Sequence, residues 1–144
     1  MRPWEIGPRE SIRDLVARYN ANGDSGHIDQ LLDLFAPDAM MVAADMDECR
    51  GRDEIRTIFT RAVGMAKWED HPVYVRHMTA TLQIDLLDSQ SAKSRCYYAV
   101  LTAVGLDHWG RYIDEYRCLD GVWKFSSRHV TLDGQSPDSI FLPS

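Results

Sequence analysis

Four side chains in this sequence carry groups suited to acid–base chemistry, and they lie far apart in the chain. Tyr19 and Asp24 stand in "YNANGD", His77 in "VRHMTA" and Arg128 in "FSSRHV". Each has a local structural explanation. Asp24 follows Asn22-Gly23, and an aspartate there caps turn backbone. His77 alternates with Val73, Val75 and Thr79, which places it on one face of an apolar strand as a hydrogen-bonded core histidine, unless a bulge resets the phase. Tyr19 falls on an apolar helical stripe, where its ring fills core and its hydroxyl needs a partner. Arg128 reads as a strand cation paired with one of the chain's many carboxylates. Singly these residues decide nothing. Brought to one concave, mostly apolar cavity they would form a site, because imidazole changes charge near neutral pH and can move protons.

The elements that must position them divide the chain into a helical first half and a β-rich second half. Ile12, Leu15, Val16 and Tyr19 recur at i, i+3, i+4 and i+7, with Ser11 as the expected cap and Asn22-Gly23 as the stop. Ile28, Leu31, Leu32 and Phe35 repeat the spacing until "APDA", where Pro37 disfavours helix in the residue before it. "MMVAA" reads as a buried strand, and "GRDEI" opens a third helix with Ile55, Ile58, Phe59, Ala62 and Val63 on one stripe. The helices should end near residue 67. From Pro72 the pattern turns to β, in runs of roughly 72–87, 91–104, 109–119 and 122–131 separated by "DSQS", "GLDH" and "LDG". Long antiparallel strands curl or bulge, so the economical arrangement is an α+β cone or half-barrel: three N-terminal helices packed on a strongly curved antiparallel sheet. At 144 residues the expectation is a single domain over 1–144, with a core of about 9–132 and a tail, 133–144, that lacks the period of either element and lies over a neighbour or is loose.

Composition narrows the classes of function. A net charge of -6 without a Lys/Arg block argues against nucleic acid and anionic membrane surfaces, leaving small molecules and protein partners. Cys49, Cys96 and Cys118 form no CxxC pair, so no disulfide framework or zinc knuckle is signalled, and a reducing cytoplasm fits. Neither an export signal nor a membrane span is expected. "ADMDECR" is acidic but lacks the loop length of a calcium hand, the five histidines show no HxxxH or HExxH spacing, and no P-loop or GxGxxG follows a strand. The chemistry expected is therefore metal-free and cofactor-free.

"IRDLVARYNANGD", "LLDLFAPDA", "GRDEI", "VRHMTA" and "GRYIDEYRCLDGVWKFSSRHV" occur in the order and at about the spacing of SnoaL-like domains of the NTF2-like superfamily. Over roughly residues 9–132 the chain most resembles the branch holding scytalone dehydratase, lindane dehydrochlorinase and the bile-acid 7α-dehydratase. The resemblance implies a pairing of Asp24 with His77, in which the carboxylate orients the imidazole for proton abstraction from carbon. It also implies Tyr19 as a phenol that polarises a carbonyl or protonates a leaving hydroxyl, and Arg128 as a fixed cation for an oxyanion or carboxylate. A phenol there, where the dehydrochlorinase has lysine, favours dehydration or enolisation over loss of chloride.

The expected function is a cofactor-independent lyase, dehydratase or isomerase acting on a small cyclic or polycyclic apolar substrate. Tyr97, Tyr98, Asp114 and Phe59 are the expected substrate-binding set. Tyr97 and Tyr98 point to opposite faces of their strand, so at most one of them faces the cavity, and His129 should face away from Arg128. Two alternatives come with the same scaffold: a polyketide-cyclase-like enzyme using Asp114 as acid/base, and a non-catalytic binding or assembly module resembling the β subunit of ring-hydroxylating dioxygenases. An open sheet face and the relatives' habits imply a homo-oligomer, dimer or trimer.

Overall fold

In the computed structural model, residues 1–44, 46–66 and 74–141 are described. Helix α1 spans Pro3–Asp24, α2 Ile28–Leu32 and α3 Gly51–Met65; the strands are β1 Phe35–Ala43, β2 Cys49–Arg50, β3 Val75–Leu86, β4 Ser91–Thr102, β5 Gly105–Leu119 and β6 Val122–Gln135. Three helices thus pack on one six-stranded sheet of order β2-β1-β6-β5-β4-β3 that does not close on itself. All neighbouring strands run antiparallel except β1 and β6, which pair in parallel.

The first helix buries Ile12, Leu15, Val16, Tyr19 and Asn20, the stripe that the spacing requires. It begins before the expected cap at Ser11. Pro3 takes an early position where its missing N–H costs nothing, and the Glu5 carboxylate accepts the Arg2 N–H at 2.5 Å. Pro8 then forfeits one further bond without stopping the helix. The second helix ends at Leu32, and Phe35 belongs to β1 instead. Pro37 sits inside that strand because the register with β6 slips between Phe35 and Met40, where no ladder N–H is asked of it. On α3 the inner half of the stripe is buried at Ile55 and Ile58, whereas Ala62 and Val63 are exposed.

Curvature comes from bulges. β3 slips against β4 between Ala80 and Gln83, where Thr81 adopts φ 59°. β5 slips against β4 near Asp107 and against β6 near Gly110. Each extra residue bends and twists its strand. The concave face collects Tyr98, Val100, Tyr112, Tyr116 and Phe125 into one core with Ile12, Val16, Tyr19 and Phe35. At Gly110 an added Cβ would come within 2.0 Å of the Thr131 carbonyl, so only glycine permits this strand approach. The tail, expected to lie over a neighbour or be loose, is partly strand, since β6 runs to Gln135, and beyond it Ser139 and Ile140 are buried.

Candidate functional site

Asp24 is the last residue of α1, and Gly26 at φ 73° reverses the chain directly after it. The carboxylate leaves the helix end toward β3, the free edge of the sheet. His77 lies on that edge strand opposite Val100, and its backbone N–H points away from β4. Asp24 takes both of its donors: Oδ2 accepts the His77 N–H at 3.0 Å and Oδ1 accepts the ring Nδ1–H at 2.6 Å. One carboxylate therefore caps an orphan edge amide and fixes the imidazole against it. Because a carboxylate only accepts, Nδ1 carries a proton, and in the neutral ring the lone pair is on Nε2. Nε2 has no hydrogen-bond partner among the described residues. The bulge in β3 falls after His77, so Val75, His77 and Thr79 share one face, while the inward set resumes at Leu82 and Ile84. The dyad is accessible from an open depression of about 560 Å³ lined by Asn20, Ala21, Asp24, Arg76, His77 and Thr79, with the imidazole 28% exposed and the carboxylate 11%.

The other expected site residues are placed differently. Arg128 is not a free cation facing this depression. It is fully buried and held by Asp114 in a two-pronged pair, Nε to Oδ1 and Nη2 to Oδ2, both at 2.8 Å. Its guanidinium lies over the rings of Tyr112 at 3.9 Å, Tyr19 at 4.0 Å and Phe125 at 4.5 Å, with Nη1 unpartnered among the described residues. Burial works against its charge, but Asp114 outweighs that and holds the guanidinium well above its ordinary range. Asp114 is thus committed as a counter-ion, and it also accepts the Tyr116 hydroxyl at 3.1 Å. Tyr19 is 6% exposed, its phenol pushed up by burial against the pull of Arg128, and it does not line the depression.

Of the expected substrate contacts, Tyr97 lies 57% exposed on the convex face, away from the dyad. Tyr98 faces inward, stacked on Tyr112 at 4.7 Å with its hydroxyl donating to the Thr131 carbonyl at 2.7 Å. Phe59 is half-buried against Tyr19, their centroids 6.1 Å apart. His129 is exposed, facing away from Arg128 as strand phase requires. Val73, invoked above for strand phase, lies outside the described residues. Among the described residues no three His, Cys, Asp or Glu side chains converge as a metal site, and no helix is long and apolar enough to cross a membrane.

The family model of the SnoaL-like domain matches residues 4–129. The chain belongs to the SnoaL-like domain family. No curated protein matches the sequence. Solved structures with the same fold include a protein from Novosphingobium aromaticivorans DSM 12444 provisionally assigned as a scytalone dehydratase, at TM-score 0.80 and 20% identity over 94% of this chain and 91% of its own. A hexachlorocyclohexane dehydrochlorinase (LinA), type 2, superposes at TM-score 0.77 and 16% identity over 97% and 96%. So does a β subunit from the same Novosphingobium strain, provisionally assigned to an aromatic-ring-hydroxylating dioxygenase, at TM-score 0.73 and 16% identity over 95% and 96%. These likenesses establish the NTF2-like fold.

This SnoaL-like domain contains a second carboxylate–imidazole pair that the sequence reading passed over. His108 Nδ1 meets Asp107 Oδ1 at 2.7 Å. Cross-strand register puts His77, Val100 and His108 in one row, so the two imidazoles belong to the same concave face. With adjacent strands about 4.8 Å apart, their backbones lie about 10 Å from each other across Val100. The sequence pattern assigns "GLDH" to a turn before a strand that begins at residue 109. The turn is tighter, and the β-bulge brings two consecutive residues, the buried Asp107 and the half-buried His108, against the end of β4. A strand-phase argument assigns such neighbours to opposite faces, so only recognition of the bulge could have found them.

Proposed function

We propose that this SnoaL-like domain is a cofactor-independent lyase or isomerase in which His77 removes a proton from carbon beside a carbonyl. Asp24 holds the ring with Nδ1 protonated, leaving Nε2 as the base. The electron pair of the broken C–H bond passes into an enolate. It then either returns to a neighbouring carbon, completing an isomerisation, or expels a β-hydroxyl that leaves as water once protonated. His77, now protonated on Nε2, passes that proton to the new carbon or to the leaving hydroxyl, while His108, held by Asp107 on the same face, accepts a hydrogen bond from the substrate through its unprotonated Nε2. The two-strand spacing between His77 and His108 suits a substrate of one or two rings lying across Val100.

In this reading Arg128 and Tyr19 work from beneath rather than on the substrate. The guanidinium packs Tyr19 against the sheet and so pins α1, and Asp24 lies five residues further along that helix, about 7.5 Å at 1.5 Å per residue. The observation that carries the proposal is the 2.6 Å carboxylate–imidazole contact on a face that solvent can enter.

Solvent-deuterium exchange into the carbon acids of a panel of cyclic hydroxy-ketones, followed by NMR, is the direct test. His77→Ala and Asp24→Asn should each lower exchange on the best substrate by on the order of 10²- to 10⁴-fold with the fold intact. If exchange survives both substitutions, the mechanism is wrong. If no panel member exchanges at all, the β-subunit-like assembly reading takes its place, for which the exposed Met78, Tyr97 and Ile113 on the convex face would be the contact surface.

A further inference from the structure

Asp107 is fully buried, and its carboxylate receives donors from three parts of the chain. Oδ1 accepts the Ser139 hydroxyl at 2.6 Å and the His108 ring N–H at 2.7 Å. Oδ2 accepts the Ile140 N–H at 2.8 Å and the Thr102 hydroxyl at 3.2 Å. The Asp107 backbone carbonyl also accepts the Ser136 N–H, at 2.7 Å. The segment after β6 is therefore fastened across the β4–β5 end of the cone by one side chain, with Ile140 fully buried and the Phe141 ring 5.9 Å from that of His108.

We propose that Asp107 is a positioning residue for His108: with segment 136–141 docked on it, the carboxylate fixes the ring proton on Nδ1 and directs Nε2 to the substrate space shared with His77. This rests on the proton-transfer function proposed above. Among the described residues, the groups that face His108 are Asp107 on its own strand, Tyr98 from β4 with ring centroids 6.2 Å apart, His77 from β3, Gln135 opposite on β6, and Phe141 from the tail. Burial pushes the His108 imidazole below its ordinary value, the Asp107 carboxylate pulls the other way, and a charge on His77 would add to the lowering. Asp107 itself is held below the ordinary carboxylate range, because the Ser139, His108 and Ile140 donors outweigh its burial. A single carboxylate thus ties the cover over His108 to the state of its ring.

The test reads tautomer and titration of His108 in full-length protein by imidazole ¹H–¹⁵N NMR, independently of any substrate. Wild type should show the Nδ1–H form. Asp107→Asn, which removes the carboxylate charge, should mix the tautomers and move the His108 midpoint further down. Phe141→Ala, which uncovers the ring, should move it up, and Ser139→Ala, which leaves Oδ1 to the imidazole alone, should move it up by less. Opposite directions from the same cluster are not what a merely structural contact would give. An unchanged midpoint and tautomer in Asp107→Asn, or in both tail variants, overturns the proposal. If the shifts appear while no substrate shows proton exchange, the positioning stands and the enzymatic reading fails.

Discussion

Replacing Asp114 by Asn removes one charge from the middle of the core while keeping the side chain's shape. Arg128 and Asp114 are both inaccessible to solvent, joined at 2.8 Å on both prongs, and Arg128 is wedged among Tyr19, Tyr112 and Phe125. Removing one partner of such a pair leaves a buried charge uncompensated, which costs about 3–5 kcal/mol. That is a large share of the roughly 5–15 kcal/mol by which domains are stable. Arg128→Met strands the opposite charge and should cost a similar amount. The double variant removes both charges, so it should recover part of the loss, with a coupling on the order of 1–3 kcal/mol. Urea unfolding followed by the fluorescence of buried Trp123 gives all three values. Because the cation packs on Tyr19, and Tyr19 leads along α1 to Asp24, the single variants should also weaken hydrogen-exchange protection of the His77 amide. Single costs under about 1 kcal/mol, or strict additivity in the double variant, would refute the claim that these charges are buried and mutually dependent.

Two further outcomes test the packing. Gly110→Ala should destabilise by about 2 kcal/mol or more, because its Cβ would meet Thr131 backbone at 2.0 and 2.8 Å and the Tyr98 hydroxyl at 2.9 Å, whereas Gly7→Ala, with nothing within 4 Å in a helix, should stabilise by up to about 1 kcal/mol; equal melting shifts would contradict the strand approach. The Cys96 thiol, pushed up to about 11 chiefly by burial, should resist a thiol reagent at neutral pH in the folded protein and react on unfolding. Cys49 and Cys118, only half-buried, should modify first, and three equal rates would argue against the inner face assigned to Cys96.

The sequence by itself determined what local periodicity can carry. The stripe Ile12, Leu15, Val16 and Tyr19 made α1 and chose its buried face, and alternation along Val75, His77 and Thr79 put His77 on the right side of its strand. It also supplied the family motifs through which Asp24 and His77 could be paired across 53 positions. Helix ends were less legible, because a Pro at an early helical position and a Pro in a slipped register break the usual stop signals without breaking the element.

Only the tertiary structure decided which charges meet. Arg128 and Asp114 pair because β5 and β6 align them across one ladder, a register that neither strand encodes alone. The tail has no period of its own, yet it docks because a buried aspartate offers it a hydrogen-bond acceptor that no local pattern announces. His108 joins the concave face because a bulge lets it and its neighbour Asp107 turn to the same side. Period and propensity act over a few residues, whereas register, bulges and charge pairing are settled by the neighbouring strand, and the second imidazole and the tail that fastens beside it depend on those.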